Sequence, residues 1–155
     1  MMRLVLAIAV LFASDLVAPA NAAAPRNMDG KWEGSLTVVY PADTKPGAPA
    51  ATFTLRVEIA GDKARVFLKG DKDWIEAKPG AFRVQRLRSN AVLTAIDSGQ
   101  DEEGTWVETW SVAIAQKADD QALAIYSRLV NNEDLPPTSD HKGFSVAGQG
   151  ELKRQ

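Results

Sequence analysis

Apolar and polar residues alternate with a period of two along most of the chain after residue 29. In the first run, Trp32, Leu36, Val38 and Tyr40 share one face, and Lys31, Glu33, Ser35 and Thr37 share the other. This alternation is typical of a strand with one buried face. The chain is therefore predicted to be all-β, with strands at 31–40, 51–60, 63–69, 81–87, 91–97, 105–115, 121–130 and 143–151.

The connections between these runs alternate in length. Three are short, at 61–62, 88–90 and 116–120, and four are long, at 41–50, 70–80, 98–104 and 131–142. In an up-and-down sheet this order places all the long loops at one end. We expect an eight-stranded antiparallel up-and-down barrel, whose interior holds side chains or one small ligand. Residues 74–76 could form a ninth strand, which would break the alternation.

The first segment has the three parts of an export signal. Arg3 is followed by an apolar run over residues 4–12 and by small residues toward Ala23. The run is shorter than the roughly 20 apolar residues of a membrane span. The pattern predicts a helical signal peptide over residues 1–22, cleaved after Ala22, and a single domain over residues 23–155. The location that follows is periplasmic or secreted.

Composition narrows the function. The chain has no cysteine, which excludes disulfides and thiolate sites. Its net charge of −2 gives no excess of positive charge that would attract nucleic acid or an anionic membrane. No serine lies in a nucleophile-elbow sequence, and His141 is the sole histidine. Asp97, Asp101 and the two glutamates that follow are interpreted as a solvated hairpin tip. We therefore expect a protein that is not an enzyme, with no cofactor and no metal site.

Gly30-Lys31-Trp32 opens the first predicted strand of this meander. The motif and the loop pattern resemble the lipocalin-like, or calycin-type, small β-barrels, which commonly open with Gly-x-Trp. The resemblance implies a barrel closed where Trp32 packs, with a basic side chain from the end of the last strand over the indole. Lys153 and Arg154 stand near that place. The other signatures of the family have no counterpart here.

Glu108 is the most informative candidate for a binding site. On a strand whose even positions point inward, it enters the barrel between Trp106 and Trp110. A buried carboxylate needs a partner, which could be a ligand cation or hydroxyl, the Arg86 side chain or water. Two other interpretations are an internal ion pair and a bulge near Gly104 that turns the carboxylate outward.

Aromatic residues are also predicted at or near the loop-bearing end, where they would line a pocket mouth or serve as ordinary core and rim residues. Glu108 and Ser127 would orient the polar groups of a ligand. The predicted ligand-binding residues are Tyr40, Trp74, Phe82, Trp106, Glu108, Trp110, Ser127 and Phe144.

The leading functional prediction is an exported barrel that binds a small apolar or amphipathic molecule at its loop-bearing end. The alternative is an envelope protein-interaction module or inhibitor that presents loops 41–50 and 131–142 to a protein partner. A hollow interior would favour the small ligand, whereas a packed interior with a rigid projecting loop would favour the protein partner.

Overall fold

A computed structural model describes residues 27–40 and 49–155. The predicted signal peptide and most of loop 41–50 lie outside the described residues. Within the described part no helix is long and apolar enough to cross a membrane. Its strands are β1 (Gly30–Tyr40), β2 (Thr52–Ala60), β3 (Lys63–Lys69), β4 (Trp74–Ala77), β5 (Arg83–Leu87), β6 (Asn90–Asp101), β7 (Gly104–Ala118), β8 (Gln121–Asn132) and β9 (Gly143–Arg154).

The strands close into an antiparallel barrel with eight wall positions. Neighbours in sequence pair around the wall, and β9 returns to pair with β1. β4 and β5 share the fourth position, because both pair with β3 and run in the same direction. β4 covers most of that edge, whereas β5 meets β3 only where Lys63 pairs with Arg83. The predicted eight-stranded barrel is confirmed, and residues 74–77 form a short extra strand within one wall position.

Two of the predicted long loops are shorter than expected. Region 70–80 contains β4, and region 98–104 is largely strand, because β6 runs to Asp101 and β7 begins at Gly104. Polar residues at an exposed barrel rim carry no alternation signal, so these strand ends resemble loops in the sequence. In the described part, the one long connection that remains is 133–142.

Side chains fill the barrel from the turn-bearing end to about its middle. Trp32, Leu36 and Leu152 are among the fully buried residues of one continuous apolar core. An aromatic layer crosses the barrel above it: the ring centroids of Phe53 and Tyr126 are 5.2 Å apart, and those of Trp110 and Tyr126 are 5.8 Å apart. Within the barrel, the space for a ligand therefore lies above this layer, at the mouth.

The turn-bearing end is closed around Trp32. Its indole N–H donates to the carbonyl oxygen of buried Met28 at 2.9 Å. The Arg154 guanidinium lies 4.4 Å from the centroid of the indole ring, and donates to the carbonyl oxygens of Asp29 at 2.7 Å and Asn27 at 2.6 Å. The basic side chain implied by the lipocalin resemblance is therefore Arg154.

The first prediction concerns this closed end. Arg154→Ala removes a cation over the indole and the donors that hold residues 27–29 across the barrel. We expect it to lower the free energy of unfolding by about 2–3 kcal/mol. Urea titration followed by tryptophan fluorescence measures the change. Lys153→Ala, at an exposed neighbouring position, is the control and should change the stability by less than about 0.5 kcal/mol. Equal effects of the two variants would contradict the role assigned to Arg154.

Candidate functional site

The upper layer of the barrel, next to its mouth, contains a buried acid. Glu108 is 3 % exposed and lies on β7, directly opposite Asp97 of β6 and Val130 of β8. Its side chain points inward, as predicted from the alternation of β7, and the burial pattern continues regularly through Trp110. The bulge that would have turned this carboxylate outward is therefore absent from β7.

Two cations hold the Glu108 carboxylate. Its Oε2 atom lies 2.5 Å from Nζ of Lys78, and its Oε1 atom accepts a hydrogen bond from Nε of Arg128. Arg86, the partner considered from the sequence, is instead at the turn-bearing end, 2.5 Å from Asp29. Of the interpretations left open by the sequence, the internal ion pair is the one observed.

The electrostatic balance at Glu108 favours the ionised form. Burial raises the pKa of its carboxyl, but Lys78, the Trp110 indole and Arg128 outweigh that effect and lower the pKa below its usual value. The indole N–H of Trp110 stabilises the charge from close by without reaching good hydrogen-bond geometry with any described atom. Burial alone would lower the pKa of Lys78. The contacts with Asp97 and Glu108 outweigh burial, so the pKa of Lys78 is raised above its usual value. Both groups are therefore charged near neutral pH.

Lys78 reaches the mouth because the wall is interrupted. It lies between β4 and β5 in the left-handed backbone region, with φ of 43°, and Gly80 follows with φ of 73°. Among the described strands β4 pairs only with β3, so a gap separates it from the upper part of β6. The Lys78 ammonium spans this gap, 2.8 Å from Asp97 of β6. Strained backbone here places a charge where the sheet has no hydrogen bonds.

Aromatic faces flank both cations. Lys78 Nζ is 5.0 Å from the centroid of Trp106, and Arg128 Cζ is 4.8 Å from Trp110 and 5.5 Å from Phe144. Trp106 lies flat against β6 because its partner there is Gly99, whose added Cβ would come within 2.5 Å of the indole.

These groups surround a cavity of about 320 Å³, which we call the mouth cavity. It combines the apolar surfaces of Trp106 and Val130 with five polar or charged side chains, so it is more polar than most small-molecule sites. It is lined by Lys78, Asp101, Trp106, Glu108, Arg128, Val130 and Asn132.

Half of the predicted site residues are brought together at this end, namely Trp106, Glu108, Trp110 and Phe144. Tyr40 is exposed at the end of β1, and Trp74 lies on the outer wall, 3.8 Å from the Arg56 guanidinium. Phe82 is a buried residue of the apolar core. Ser127 lies between inward-facing Tyr126 and Arg128, so it points to the outer face and does not join Glu108.

A larger cleft of about 730 Å³ lies on the wall at the seam between β3 and β5, away from the mouth. Phe82 forms part of its floor. Its acidic side chains, Glu58 and Glu76, pair with Arg65. It therefore lacks the buried charge that distinguishes the mouth cavity.

Sequence reasoning missed two residues that hold the site, Lys78 and Arg128. Arg128 could have been found, since Ala122, Ala124 and Tyr126 fix the even positions of β8 as inward. Lys78 gave a weaker signal, the turn formed with Pro79 and Gly80. No group of three or more potential metal ligands occurs within residues 27–40 and 49–155, and His141 is exposed.

The second prediction concerns Glu108. Glu108→Gln leaves two cations beside a neutral side chain, and we expect it to lower the free energy of unfolding at neutral pH by about 1–3 kcal/mol, since both cations also reach water. The pKa of Glu108 is lowered on folding, so the carboxylate stabilises the protein above its unfolded pKa of about 4.5 and loses this effect as the pH falls through the folded value. The difference between wild type and variant should narrow below pH 4.5. Chemical denaturation across pH measures it.

The control is Glu102→Gln, in the exposed turn between β6 and β7. It should behave as wild type at every pH. A Glu108→Gln variant that is as stable as wild type at neutral pH would contradict the ion-pair assignment.

Comparison with known proteins adds no relative to this description. No protein family, no curated protein and no solved structure matches the chain. The likeness to lipocalins therefore consists of the barrel architecture and the packing of Arg154 on Trp32, and it does not establish membership of that family.

Proposed function

We propose that the protein is an exported, non-enzymatic barrel that binds a small amphipathic molecule at the mouth cavity. The observation that carries this proposal is the convergence of a buried carboxylate, two cations and aromatic faces around 320 Å³ of space above a filled core. Export is supported by the residue pattern of the first 22 positions.

The filled core limits how the ligand sits. Its apolar part would lie against Trp106 and Val130 at the rim and would not enter the barrel. Its polar part would meet Lys78, Arg128 and Asn132. Because Glu108 and Asp97 already neutralise these cations, a simple anion would leave a buried carboxylate without its partner. A polar group that both donates and accepts hydrogen bonds, or carries both charges, fits better.

The titratable groups of the mouth support a binding role over catalysis. A general acid or base works best with a pKa near the working pH. Here the ion pairs move the pKa of Glu108 down and that of Lys78 up, away from neutrality. Such an arrangement holds fixed charges for recognition.

The third prediction tests this site by native mass spectrometry of protein purified from its own source. We expect the wild-type chain to retain a small molecule and Trp106→Ala to lose it, because the variant removes the aromatic wall of the cavity. Trp74→Ala is the matched control, since it removes a tryptophan that is also covered by a cation but lies on the outer wall. Repeated absence of any bound molecule from the wild-type protein, or its retention by Trp106→Ala, would reject the proposal.

A protein partner is the second candidate, and the filled core and the 133–142 loop favour it. This loop is held by backbone hydrogen bonds from Asn132 to Lys142 at 2.8 Å and from Glu133 to Thr105 at 2.7 Å. The Lys142 ammonium also donates to the carbonyl oxygens of Asn132 and Glu133. A rigid loop loses little conformational entropy on binding, which suits an inhibitor or an interaction module.

The fourth prediction separates this candidate from the first. If the loop carries recognition, replacing exposed Pro136, Pro137 and Thr138 with glycine abolishes capture of the partner by immobilised protein, whereas Trp106→Ala does not. Pull-down from an envelope extract, with bound proteins identified by mass spectrometry, is the measurement. Recovery of the same proteins by the loop variant and the wild type would reject the loop as the binding element.

A further inference from the structure

The outer surface of the barrel is divided into two chemically different halves. Over β1 to β4 the outward side chains form cross-strand ion pairs: Arg56 lies 3.0 Å from Glu33, and Arg65 lies 3.3 Å from Glu58 and 2.6 Å from Glu76. Such pairs keep a sheet face hydrated. This half has the ordinary character of a solvent-facing wall.

The opposite wall has a different composition. Its outward side chains lie within residues 92–98, 107–115, 123–129 and 145–149, which belong to β6, β7, β8 and β9. We call this set of outward side chains the neutral face. None of these outward side chains is charged, because the charged residues within the four ranges, Asp97, Glu108 and Arg128, all point inward. Hydroxyl, alanine and aliphatic side chains make up nearly all of it.

The neutral face also exposes large aliphatic groups. Ile96, Leu123, Ile125 and Leu129 are each about half exposed or more, and Val92 is exposed beside them. A contiguous apolar surface of this kind generally marks an interaction site. No segment within residues 27–40 and 49–155 packs over these exposed side chains.

Its relief consists of a ridge between two grooves. Leu123, Ile125 and Leu129 form the ridge along β8. One groove, of about 290 Å³, runs over Ala113 and Ala115 of β7, where the side chains are small. The other, of about 460 Å³, lies on the β9 side of the same ridge and ends at Glu151, which pairs with Lys117 at the border of the neutral face.

We propose that a second copy of this chain packs on the neutral face to form a two-fold dimer. A two-fold axis in the plane of the interface, parallel to the strands and between β7 and β8, places the ridge of each copy over the β7 groove of the other. This is the self-complementarity that an isologous interface requires. The β7 and β8 strands of the two copies then pack face to face about 10 Å apart, while β6 and β9 curve away on either side.

Relief and charge support this occupant, and the area of the face limits how tightly it binds. A surface without charged groups is matched by another surface without them, since a charged partner would lose hydration with nothing to pair with. With strands about 4.8 Å apart and about 3.3 Å of rise per residue, the face covers roughly 450 Å² when flattened, and a contact centred on β7 and β8 uses less because the wall is convex. A standard stable interface buries about 800 Å² on each partner. The dimer is therefore expected to dissociate on dilution.

Sedimentation velocity of the purified chain over a wide range of concentration is the first test. We expect a monomer to dimer transition in the wild type and at least about tenfold weaker association in Ile125→Lys, which buries an unpaired charge at the ridge. Thr54→Lys is the control, since Thr54 also points outward but lies on β2, away from the neutral face. Circular dichroism establishes that both variants fold.

Cross-linking provides a second measurement that needs no charge in the interface. The chain has no cysteine, so Ser127→Cys introduces a single thiol near the proposed axis. The Ser127 positions of two copies would be roughly 10–12 Å apart across the packed sheets, within reach of a short bis-maleimide. Thr54→Cys, outward and half-buried on β2, is the control and should remain uncross-linked.

A wild-type chain that stays monomeric at the highest concentration would overturn the proposal. The occupant of the neutral face would then be a membrane surface, a different protein or an undescribed segment of the chain. Undiminished dimerisation of Ile125→Lys, or equal cross-linking of both cysteine variants, would show that the dimer uses another surface. The mouth cavity opens at the end of the barrel, so these outcomes do not depend on whether it binds a ligand.

Discussion

The width of the barrel is the constraint on which the rest of the structure depends. Eight wall positions leave an interior that side chains can fill, and every inward residue must share that one space. At the turn-bearing end Trp32 and Met28 occupy it, and in the middle Phe53, Tyr126 and Trp110 cross it from opposite walls. Large side chains at these levels leave room only at the mouth. The candidate site is shallow for this reason.

The charged layer at the mouth follows from the same constraint combined with the broken wall. β4 pairs with β3 alone among the described strands, so the sheet loses its hydrogen bonds between the fourth position and the upper part of β6. Lys78 replaces them with ion pairs to Asp97 and Glu108. Removing water from these charges is costly, and the cost is offset only because Arg128 also donates to Glu108 and aromatic rings lie against both cations. The same ion pairs of Lys78 therefore form the candidate site and close the wall of the barrel.

Much of the architecture could be predicted from period-two alternation, because one buried face imposes it on every strand. The rim end of β6 was predicted too short, since Ser98 to Asp101 lie beyond the core and nothing there selects apolar residues. The inward direction of Glu108 was predictable from Trp106 and Trp110 on the same strand. Its partner Lys78 was not, because that contact depends on closing the barrel across thirty positions of sequence and on an unusual backbone turn. Ser127 was assigned to the interior without the parity of β8, which places it outside.

The division of the outer wall bears on how such a barrel avoids uncontrolled association. A closed barrel has no free sheet edges apart from short segments such as β4, so strand-to-strand growth is largely blocked. The attraction that remains is face packing. The neutral face offers it, whereas the ion pairs centred on Arg56 and Arg65 keep the opposite wall hydrated. In a two-fold arrangement each copy uses the centre of its neutral face, β7 and β8, in a single contact. Such a contact is closed by its symmetry, so it does not by itself propagate beyond two copies.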